Sequence, residues 1–268
     1  MTTTAETRWK ERLSSMDTSI EEIQLPTNGD RSLSQDEEWC LVTVEGDRKR
    51  IRFHDYASIY EIPGLYERIF YDELKCSSPF RVSQLLVDVL RERGQAPEDL
   101  KVLDLGAGNG MVGDELRASG ASRLVGVDII PEARSAAIRD RKGIYQEYLV
   151  TDMTDLSDET YERLRSKRSN CLTTVATLGF GDIPPRAFET ALSLISTPGW
   201  IAFNIKEDFL YERDDSGFAR LIRDLTRRQV IRIEAYRRYR HRLAIDGRPL
   251  YYVAMIATKQ KPISPSQD

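Results

Sequence analysis

The part of the sequence best suited to chemistry is a glycine-rich stretch from Asp104 to Gly113. It reads Asp-Leu-Gly-Ala-Gly-Asn-Gly-Met-Val-Gly, so an acid is followed by three glycines at alternate positions and by a fourth further on. Glycines in a turn between a strand and a helix let the backbone bend sharply and let a ligand approach it closely. The stretch therefore predicts a cofactor-binding loop.

Two classes of cofactor fit this loop. Gly108, Gly110 and Gly113 spell GxGxxG, the spacing found in loops that bind the pyrophosphate of a dinucleotide. Asp104 stands two positions before the first glycine, where it would repel a pyrophosphate but attract the ammonium group of S-adenosylmethionine. The loop favours S-adenosylmethionine, and an NAD-dependent oxidoreductase stays open as an alternative.

Two further acids stand where later strands are predicted to end. Asp128 follows the second strand, 20 residues after Gly108, and a carboxylate there can accept hydrogen bonds from both ribose hydroxyls. Asp152 follows the third strand, where it can accept from the adenine amino group. Helix capping is the alternative for Asp104 and Asp128, and a turn is the alternative for Asp152.

Strands and helices that alternate after residue 100 position these acids. This alternation predicts an α/β fold with a doubly wound, seven-stranded, Rossmann-like sheet. Asp246-Gly247 between the last two strands indicates a hairpin, so we expect the last strand to run antiparallel to its neighbour. The predicted strands are 102–105, 124–128, 145–150, 172–178, 200–205, 230–243 and 250–259.

The region before the sheet divides into two parts. Residues 1–38 carry four basic and nine acidic side chains with few clustered apolar residues, which predicts a disordered tail. Residues 39–95 predict a hairpin followed by helices, a lid over the cofactor-binding core at 96–260. Because a two-stranded hairpin is marginal alone, we expect it to pair with a second subunit in a homodimer.

Taken together, these segments resemble class I S-adenosylmethionine-dependent methyltransferases. The similar segments are Val102–Gly110, Val125–Ile129, Thr151–Met153, Val175–Leu178 and Pro198–Trp200. Ala57-Ser58-Ile59-Tyr60-Glu61 is similar to the A-x-x-Y-[DE] element that precedes the core in many small-molecule members. The resemblance covers about residues 56 to 258. It implies methyl transfer from S-adenosylmethionine to a small-molecule acceptor, with S-adenosylhomocysteine as product and no metal.

The resemblance also implies a role for each matching residue. The residues that would hold the methionine moiety are Asp104 and the backbone of Gly106 and Gly108, and those around the ribose and adenine are Asp128, Ile129, Asp152 and Met153. Tyr60 would cover the cofactor from the lid, although a tyrosine on an apolar helical face is more often a core residue. Leu178 would lie near the sulfonium.

Candidate residues for the acceptor side are few. His54 and His241 are candidate general bases, with a surface or core role as the alternative for each. Alternate residues of a strand share a face, which predicts that Arg237, Tyr239 and His241 line an acceptor pocket. The loops after the fourth and fifth strands add three candidate substrate contacts, Asp182, Lys206 and Glu207.

The amino-acid composition argues against several classes of protein. The 39 basic and 43 acidic residues give a net charge of −4, which argues weakly against a dedicated nucleic-acid binder. Three scattered cysteines and two histidines fit neither a disulfide framework nor a metal site, and no apolar stretch reaches the roughly 20 residues of a membrane span. We expect a cytoplasmic protein.

The charge is distributed unevenly. Residues 220–242 carry nine arginines against two acids, which keeps an RNA or protein methyltransferase open as an alternative. The simpler interpretation is a solvated surface, with Arg232, Arg238, Arg240 and Arg242 facing outward. A binding scaffold without catalytic activity is a further alternative.

Overall fold

The computed structural model describes residues 5–16, 18–26, 33–178, 183–207 and 217–263. The elements before the central sheet are α1 (Ala5–Ser15), β1 (Ile20–Gln24), β2 (Trp39–Val44), β3 (Asp47–Arg52), α2 (Tyr56–Glu61), a π-helical segment (Glu67–Glu73) and α3 (Ser78–Glu92). Those that follow are β4 (Lys101–Leu105), α4 (Met111–Ala118), β5 (Arg123–Asp128), α5 (Pro131–Asp140), β6 (Glu147–Val150), α6 (Asp158–Ser166), β7 (Cys171–Thr174), α7 (Pro185–Ser193), β8 (Gly199–Lys206), α8 (Phe218–Arg227), β9 (Ile231–Leu243) and β10 (Pro249–Lys259).

Within the described residues, seven strands form the central sheet in the order β6-β5-β4-β7-β8-β10-β9. The pairings among β4 to β8 are parallel, and β10 runs antiparallel to both β8 and β9. The predicted fold class is therefore confirmed, including the antiparallel last strand. The carboxyl ends of β4, β5, β6 and β7 meet at one edge of the sheet, which is where open α/β sheets bind ligands.

Alternate strand residues pack on opposite faces of the sheet. Leu103 and Leu105 of β4 join a buried cluster with Phe188 of α7, whereas Val102 of the same strand packs with Leu86 of α3. Burying both faces explains why the central strands are almost continuously apolar. The sheet is thus held between two helical layers.

The N-terminal segment, predicted to be disordered, contains α1 and β1 in the structure. β1 pairs antiparallel with β2, which itself pairs with β3 as the hairpin prediction requires. Trp9 and Ile20 are buried in a cluster with Phe53, and Arg12 of α1 pairs with Asp114 of α4. These partners lie about 30 to 100 residues away along the chain, so the local composition of the tail does not reveal them. The third strand and this cluster also remove the reason for expecting a second subunit.

Two local expectations differ from the structure. β7 ends at Thr174 instead of 178, and Arg242 is buried instead of facing outward. The register between β9 and β10 shifts twice, opposite Ile256/Ala257 and Leu250/Tyr251. Each shift is a bulge that inserts an extra residue into β9, and a bulge breaks the period of two. His241 is the extra residue of the second bulge, so His241 and Arg242, although neighbours in the sequence, are both buried.

Candidate functional site

A cleft of about 270 Å³ opens at the carboxyl edge of the parallel strands. Its walls come from the glycine loop after β4, from the ends of β5 and β6, from the loop after β7 and from the N-terminal lid. Of the predicted cofactor residues, those that line the cleft are Tyr60, Gly106, Gly108, Asp128, Ile129, Asp152 and Met153. The fold thus brings together residues that are up to 93 positions apart in the sequence.

The glycine loop and Asp128 form one hydrogen-bonded unit. Gly106 and Gly108 adopt φ values of 68° and 53°, which glycine tolerates far better than other residues. The Asp128 carboxylate accepts from the backbone N–H of Gly108 at 2.9 Å and of Ile130 at 3.1 Å. Burial raises the pKa of Asp128, whereas these hydrogen bonds lower it. Each carboxylate oxygen keeps a second lone pair, so Asp128 can still accept from a ligand.

Asp104 lies beneath the loop and is not part of the cleft wall described above. Its two carboxylate oxygens accept from Tyr145 Oη and from Thr173 Oγ1, each at 2.6 Å. Burial raises the pKa of Asp104 to about 6 against the lowering effect of these two hydroxyls. Asp104 therefore changes its charge close to neutral pH and can act on a ligand through its electric field.

The adenine-side candidates combine apolar and polar surface. Ile129 is 59 % exposed, unusually so for a large apolar side chain, and Met153 is buried in the same wall. Asp152 accepts from the N–H and the hydroxyl of Thr154 with Oδ1, which lowers the pKa of Asp152. The turn role is therefore present, and Oδ2 is left to accept from a ligand. An apolar plane beside a hydrogen-bond acceptor suits a purine.

Tyr60 combines core packing with a position over the loop. It packs against Ala133 and Ala136 of α5, and its hydroxyl lies so close to Gly108 that a Cβ added there would be 2.5 Å from Oη. Tyr56 and Tyr66 flank it, with ring centroids 6.1 Å and 5.4 Å from that of Tyr60. These three tyrosines form the lid wall of the cleft.

A buried ion pair joins the lid to the glycine loop, and sequence reasoning missed it. Glu67 of the π-helical segment accepts from Arg141 at 2.7 Å and from Asn109 Nδ2 at 2.8 Å. Arg141 also donates to the carbonyl oxygen of Asn109 at 3.2 Å, and both charged side chains are at most 1 % exposed. The one signal in the sequence was Asn109, a residue able to form side-chain hydrogen bonds inside the glycine motif.

A smaller cavity adjoins the cleft and is called here the side compartment. It is lined by Gln35, Phe53, His54, Tyr56, Tyr66, Phe70, Cys76, Ala176, His241, Arg242 and Tyr252. Its volume is about 40 Å³, and it shares His54, Tyr56, Tyr66 and Ala176 with the cleft. Both candidate histidines therefore meet at the side compartment, whereas only His54 also lines the cleft.

The remaining acceptor candidates lie away from the cleft or outside the described residues. Asp182 lies outside the described residues. Glu207 pairs with Arg238 at 2.7 Å, and Arg237 is exposed on the edge strand β9. Tyr239 is buried and bonds Ser78 and Asn204. Lys206 is half-buried at the end of β8, and neither cavity wall described above includes it.

Leu178 is also placed differently from the prediction. Because β7 ends four residues early, Val175, Ala176 and Thr177 line the cleft, and Leu178 packs into the core cluster beside α7. Ala176 has a φ of 61°, and its N–H donates to Asn204 at 2.7 Å. A sequence pattern for a strand does not show where the strand stops pairing, so this shift was not predictable.

Within the described residues, no group of three or more histidine, cysteine, aspartate or glutamate side chains is arranged to hold a metal ion. No described helix is long and apolar enough to cross a membrane. The residues of the cleft instead fit S-adenosylmethionine. They offer a glycine cradle, the carboxylates of Asp128 and Asp152 at the ends of two neighbouring strands and an exposed apolar side chain.

Comparison with known proteins identifies the class. A sequence model of the family described as methyltransferase domain matches residues 80–243, which is more than half of the chain. The chain belongs to this family. The prediction of a class I S-adenosylmethionine-dependent methyltransferase is thereby confirmed, and the oxidoreductase alternative is excluded. No curated protein sequence matches the chain.

Solved structures with similar folds differ in what they act on. Magnesium protoporphyrin IX methyltransferase from Synechocystis, solved with bound SAM, is 15 % identical over 68 % of this chain and 79 % of that one, with a TM-score of 0.47. A candidate RNA methyltransferase from Pyrococcus horikoshii is 16 % identical over 67 % and 83 %, with a TM-score of 0.49. The N-methyltransferase NodS from Bradyrhizobium japonicum, solved with S-adenosylhomocysteine, is 16 % identical over 68 % and 86 %, with a TM-score of 0.46.

Proposed function

We propose that this methyltransferase acts on a small-molecule acceptor that binds between the cofactor and the lid. The observation that carries the proposal is the tyrosine-lined lid beside the cleft. Tyr56, Tyr60 and Tyr66 form the lid wall of the cleft of about 270 Å³, and Tyr56 and Tyr66 also line the side compartment of about 40 Å³. A space of this size suits a small molecule and not a folded RNA or a protein segment.

The proposed cofactor contacts follow from the cleft geometry. Asp128 accepts from the ribose hydroxyls, Ile129 and Met153 pack against adenine, and Asp152 accepts from the adenine amino group. The backbone of Gly106 and Gly108 borders the methionine moiety, and Asp104 favours its ammonium group electrostatically. When bound, S-adenosylmethionine supplies a methyl group on a sulfonium that is already a good leaving group.

The protein's own part is alignment and exclusion of water. Tyr60 covers Gly108, and the buried pair of Glu67 and Arg141 keeps the lid against the glycine loop. Holding two reactants in one geometry and excluding solvent accounts for much of the acceleration of a displacement reaction. A general base is needed only when the acceptor is a weak acid, and His54 is the candidate that lines the cleft.

We further propose that the lid (39–95) selects the acceptor, that the core (96–260) binds the cofactor, and that the enzyme serves small-molecule biosynthesis in the cytoplasm. Three free cysteines are compatible with a reducing compartment. The arginine-rich segment does not favour RNA strongly, because several of its side chains are already engaged. Arg238 pairs with Glu207 and lies over the Tyr251 ring, and Arg242 pairs with buried Glu38.

A transfer experiment tests this proposal. The full chain is incubated with methyl-labelled S-adenosylmethionine and an extract of the source organism, which is then separated into small-molecule, RNA and protein fractions. We expect the label in the small-molecule fraction, and much less transfer with Asp128→Ala when the cofactor concentration is kept near the dissociation constant of the unaltered protein. Label found mainly in RNA or protein would overturn the proposed acceptor class, and no transfer to any fraction would support a catalytically silent scaffold.

A further inference from the structure

A chain of buried polar side chains ends on His241 at the wall of the side compartment. Asn204 Oδ1 accepts from the N–H of Ala176 at 2.7 Å, which fixes the orientation of the amide. Asn204 Nδ2 then donates to Tyr239 Oη at 2.7 Å and to Ser78 Oγ at 3.2 Å. The Ser78 hydroxyl oxygen lies 2.6 Å from Tyr239 Oη and 2.6 Å from His241 Nδ1.

Counting hydrogens along this chain assigns the histidine tautomer. The amide nitrogen of Asn204 can only donate, so neither hydroxyl can give its hydrogen to it, and the two hydroxyl hydrogens must serve the two contacts of 2.6 Å. If Ser78 donated to Tyr239, the tyrosine hydrogen would find no acceptor among the described residues. Every group is satisfied only if the Tyr239 hydroxyl donates to Ser78 Oγ and the Ser78 hydroxyl donates to His241 Nδ1. Nδ1 is therefore an acceptor.

His241 consequently carries its hydrogen on Nε2. Burial, aided by the charge of Arg242, holds the pKa of His241 well below its ordinary value, so the ring is neutral. The ring lines the side compartment, and Nε2 has no hydrogen-bond partner among the described residues. His241 thus offers the compartment a hydrogen-bond donor instead of the general base that the sequence suggested.

Gln35 offers the matching acceptor. Its Nε2 donates to Tyr252 Oη at 3.0 Å, while its Oε1 is buried without a partner among the described residues. A buried polar atom without a partner destabilises a protein, so an unsatisfied amide oxygen in a cavity wall indicates a ligand group that donates to it. Among the groups that line the compartment, His241 thus supplies a donor and Gln35 an acceptor.

The charges around the compartment cancel. Arg242 pairs with Glu38, and both side chains are at most 3 % exposed. Arg242 also donates to the carbonyl of Leu243, and Glu38 accepts from the N–H of Ile245, both at 2.8 Å. A carboxylate or phosphate entering the compartment would lose its hydration, and the described residues that line it offer no unpaired arginine or lysine in return. The geometry selects an uncharged group.

The volume of the side compartment limits the size of the group that can enter it. About 40 Å³ accommodates little more than one or two water-sized groups, too few for an aromatic ring. Tyr56 and Tyr66 border both cavities, and tyrosine faces favour packing against a planar ring.

We propose that the side compartment anchors an uncharged polar substituent, a hydroxyl or primary carboxamide, of an aromatic methyl acceptor. His241 Nε2–H donates to this substituent, and Gln35 Oε1 accepts from it. The inference rests on the proposed function.

The tautomer can be measured in the unaltered protein. The chain has two histidines, so a His54→Gln variant assigns the remaining imidazole in a long-range ¹H–¹⁵N correlation spectrum. We expect His241 at pH 7 to be neutral with its hydrogen on Nε2. A hydrogen on Nδ1, or a protonated ring, would overturn the proposal.

Binding of simple probes tests the anchoring role. Protein saturated with S-adenosylhomocysteine is titrated with benzamide and with benzoate, which have nearly the same shape but differ in charge. We expect benzamide to bind at least about tenfold more tightly, and His241→Phe or Gln35→Leu to abolish most of this preference without changing the affinity for S-adenosylhomocysteine. Tyr236→Ala is the control, because Tyr236 lies on the same strand as His241 but is 74 % exposed.

The outcomes separate the two proposals. Equal or tighter binding of benzoate, or an unchanged preference in both His241→Phe and Gln35→Leu, would overturn the anchoring role while cofactor binding persists. Failure of the wild-type protein to bind S-adenosylhomocysteine would overturn the proposed function itself, and this inference with it.

Discussion

At the scale of single residues, the cofactor cleft depends on positions where one side chain or one backbone angle decides whether the ligand fits. Gly108 is the sharpest example, because it combines a positive φ, a hydrogen bond to Asp128 and contact with Tyr60. Asp104 is the second, because its charge changes near neutral pH. Each leads to a prediction about cofactor affinity.

Gly108→Ala should weaken binding of S-adenosylhomocysteine by about tenfold or more. The new Cβ would lie 2.5 Å from Tyr60 Oη, and the φ of 53° costs a non-glycine residue about 1 kcal/mol in addition. Gly143→Ala is the matched control, because Gly143 has a φ of 80° and open space around it. Calorimetry should show the loss in the first variant only. Equal affinities in both would mean that the loop does not contact the cofactor.

The pKa of Asp104 predicts how affinity depends on pH. Ionised Asp104 favours a ligand ammonium, so S-adenosylhomocysteine should bind more tightly as the pH rises through about 6. Tyr145→Phe removes a hydrogen bond that lowers this pKa and should move the midpoint upward, and Asp104→Asn should abolish this dependence. Affinity that stays constant from pH 5 to pH 7 in the wild-type protein would contradict the role of Asp104.

The raised pKa of Asp104 also affects the stability of the fold. This stability should fall with rising pH, whereas the affinity for S-adenosylhomocysteine should rise. The pKa of Asp104 is about 6 in the folded chain against 3.8 as the ordinary value, so folding favours the protonated acid. This stabilisation is complete below about pH 4 and is lost as the pH rises through 6. Above that pH the ionised carboxylate is a destabilising group that the fold retains, which is typical of functional sites.

At the scale of elements, the lid and the glycine loop are one unit. The π-helical segment contributes Glu67, α5 is followed by Arg141, and both bind Asn109 in the loop. One Glu67 oxygen and Arg141 Nε remain buried without a partner among the described residues. A buried ion pair of this kind adds little net stability, but removing one partner destabilises strongly.

Glu67→Gln should therefore lower the free energy of unfolding by about 3 kcal/mol and weaken S-adenosylhomocysteine binding, because it leaves the Arg141 charge buried and unpaired. Asp72→Asn on the same segment is the control. Its pair with Lys75 is more than half exposed and should contribute less than about 1 kcal/mol. Urea unfolding measures both variants. A change below about 0.5 kcal/mol for Glu67→Gln would show that the pair does not hold the lid.

The elements were largely predictable, and the exceptions have physical causes. Periodicity located the strands and helices of the core because each buries a continuous apolar face. It failed in β9, where two bulges change which side chains are buried, and at the end of β7, where pairing stops before the apolar stretch does. Within the site, the glycine loop and the acids at the strand ends could be predicted, because each is defined by a short stretch of sequence. Arg141, Glu67, Gln35 and the partners of His241 depend on distant packing and were not.

At the scale of the whole molecule, the net charge of −4 is a balance between differently charged regions. The first 38 residues contain nine acids, and α1 places Arg8 and Arg12 against Glu115 and Asp114. The arginines of β9 lie along the edge of the sheet, where charged side chains also prevent pairing with other chains. The basic segment is therefore explained without a nucleic acid.

Charge reversal on this edge tests that explanation. Arg237 and Arg240 are exposed on β9, away from the cleft. We expect Arg237→Glu with Arg240→Glu to leave methyl transfer to the small-molecule fraction within about twofold, because neither residue lines the cleft or the side compartment. An RNA substrate would be favoured by a different result. The wild-type protein would bind RNA in a salt-sensitive way, and the charge-reversal variant would lose both this binding and methyl transfer.

The central claim is that the glycine-loop cleft binds the methyl donor through Asp128. Calorimetric titration of the full chain with S-adenosylhomocysteine tests it most directly, with NADH as the competing ligand. We predict one binding site that NADH does not occupy, and an affinity about 10- to 100-fold weaker in Asp128→Ala, since hydrogen bonds to a charged group contribute about 1.5–3 kcal/mol. An unchanged affinity in Asp128→Ala, or tight binding of NADH without S-adenosylhomocysteine, would contradict the account.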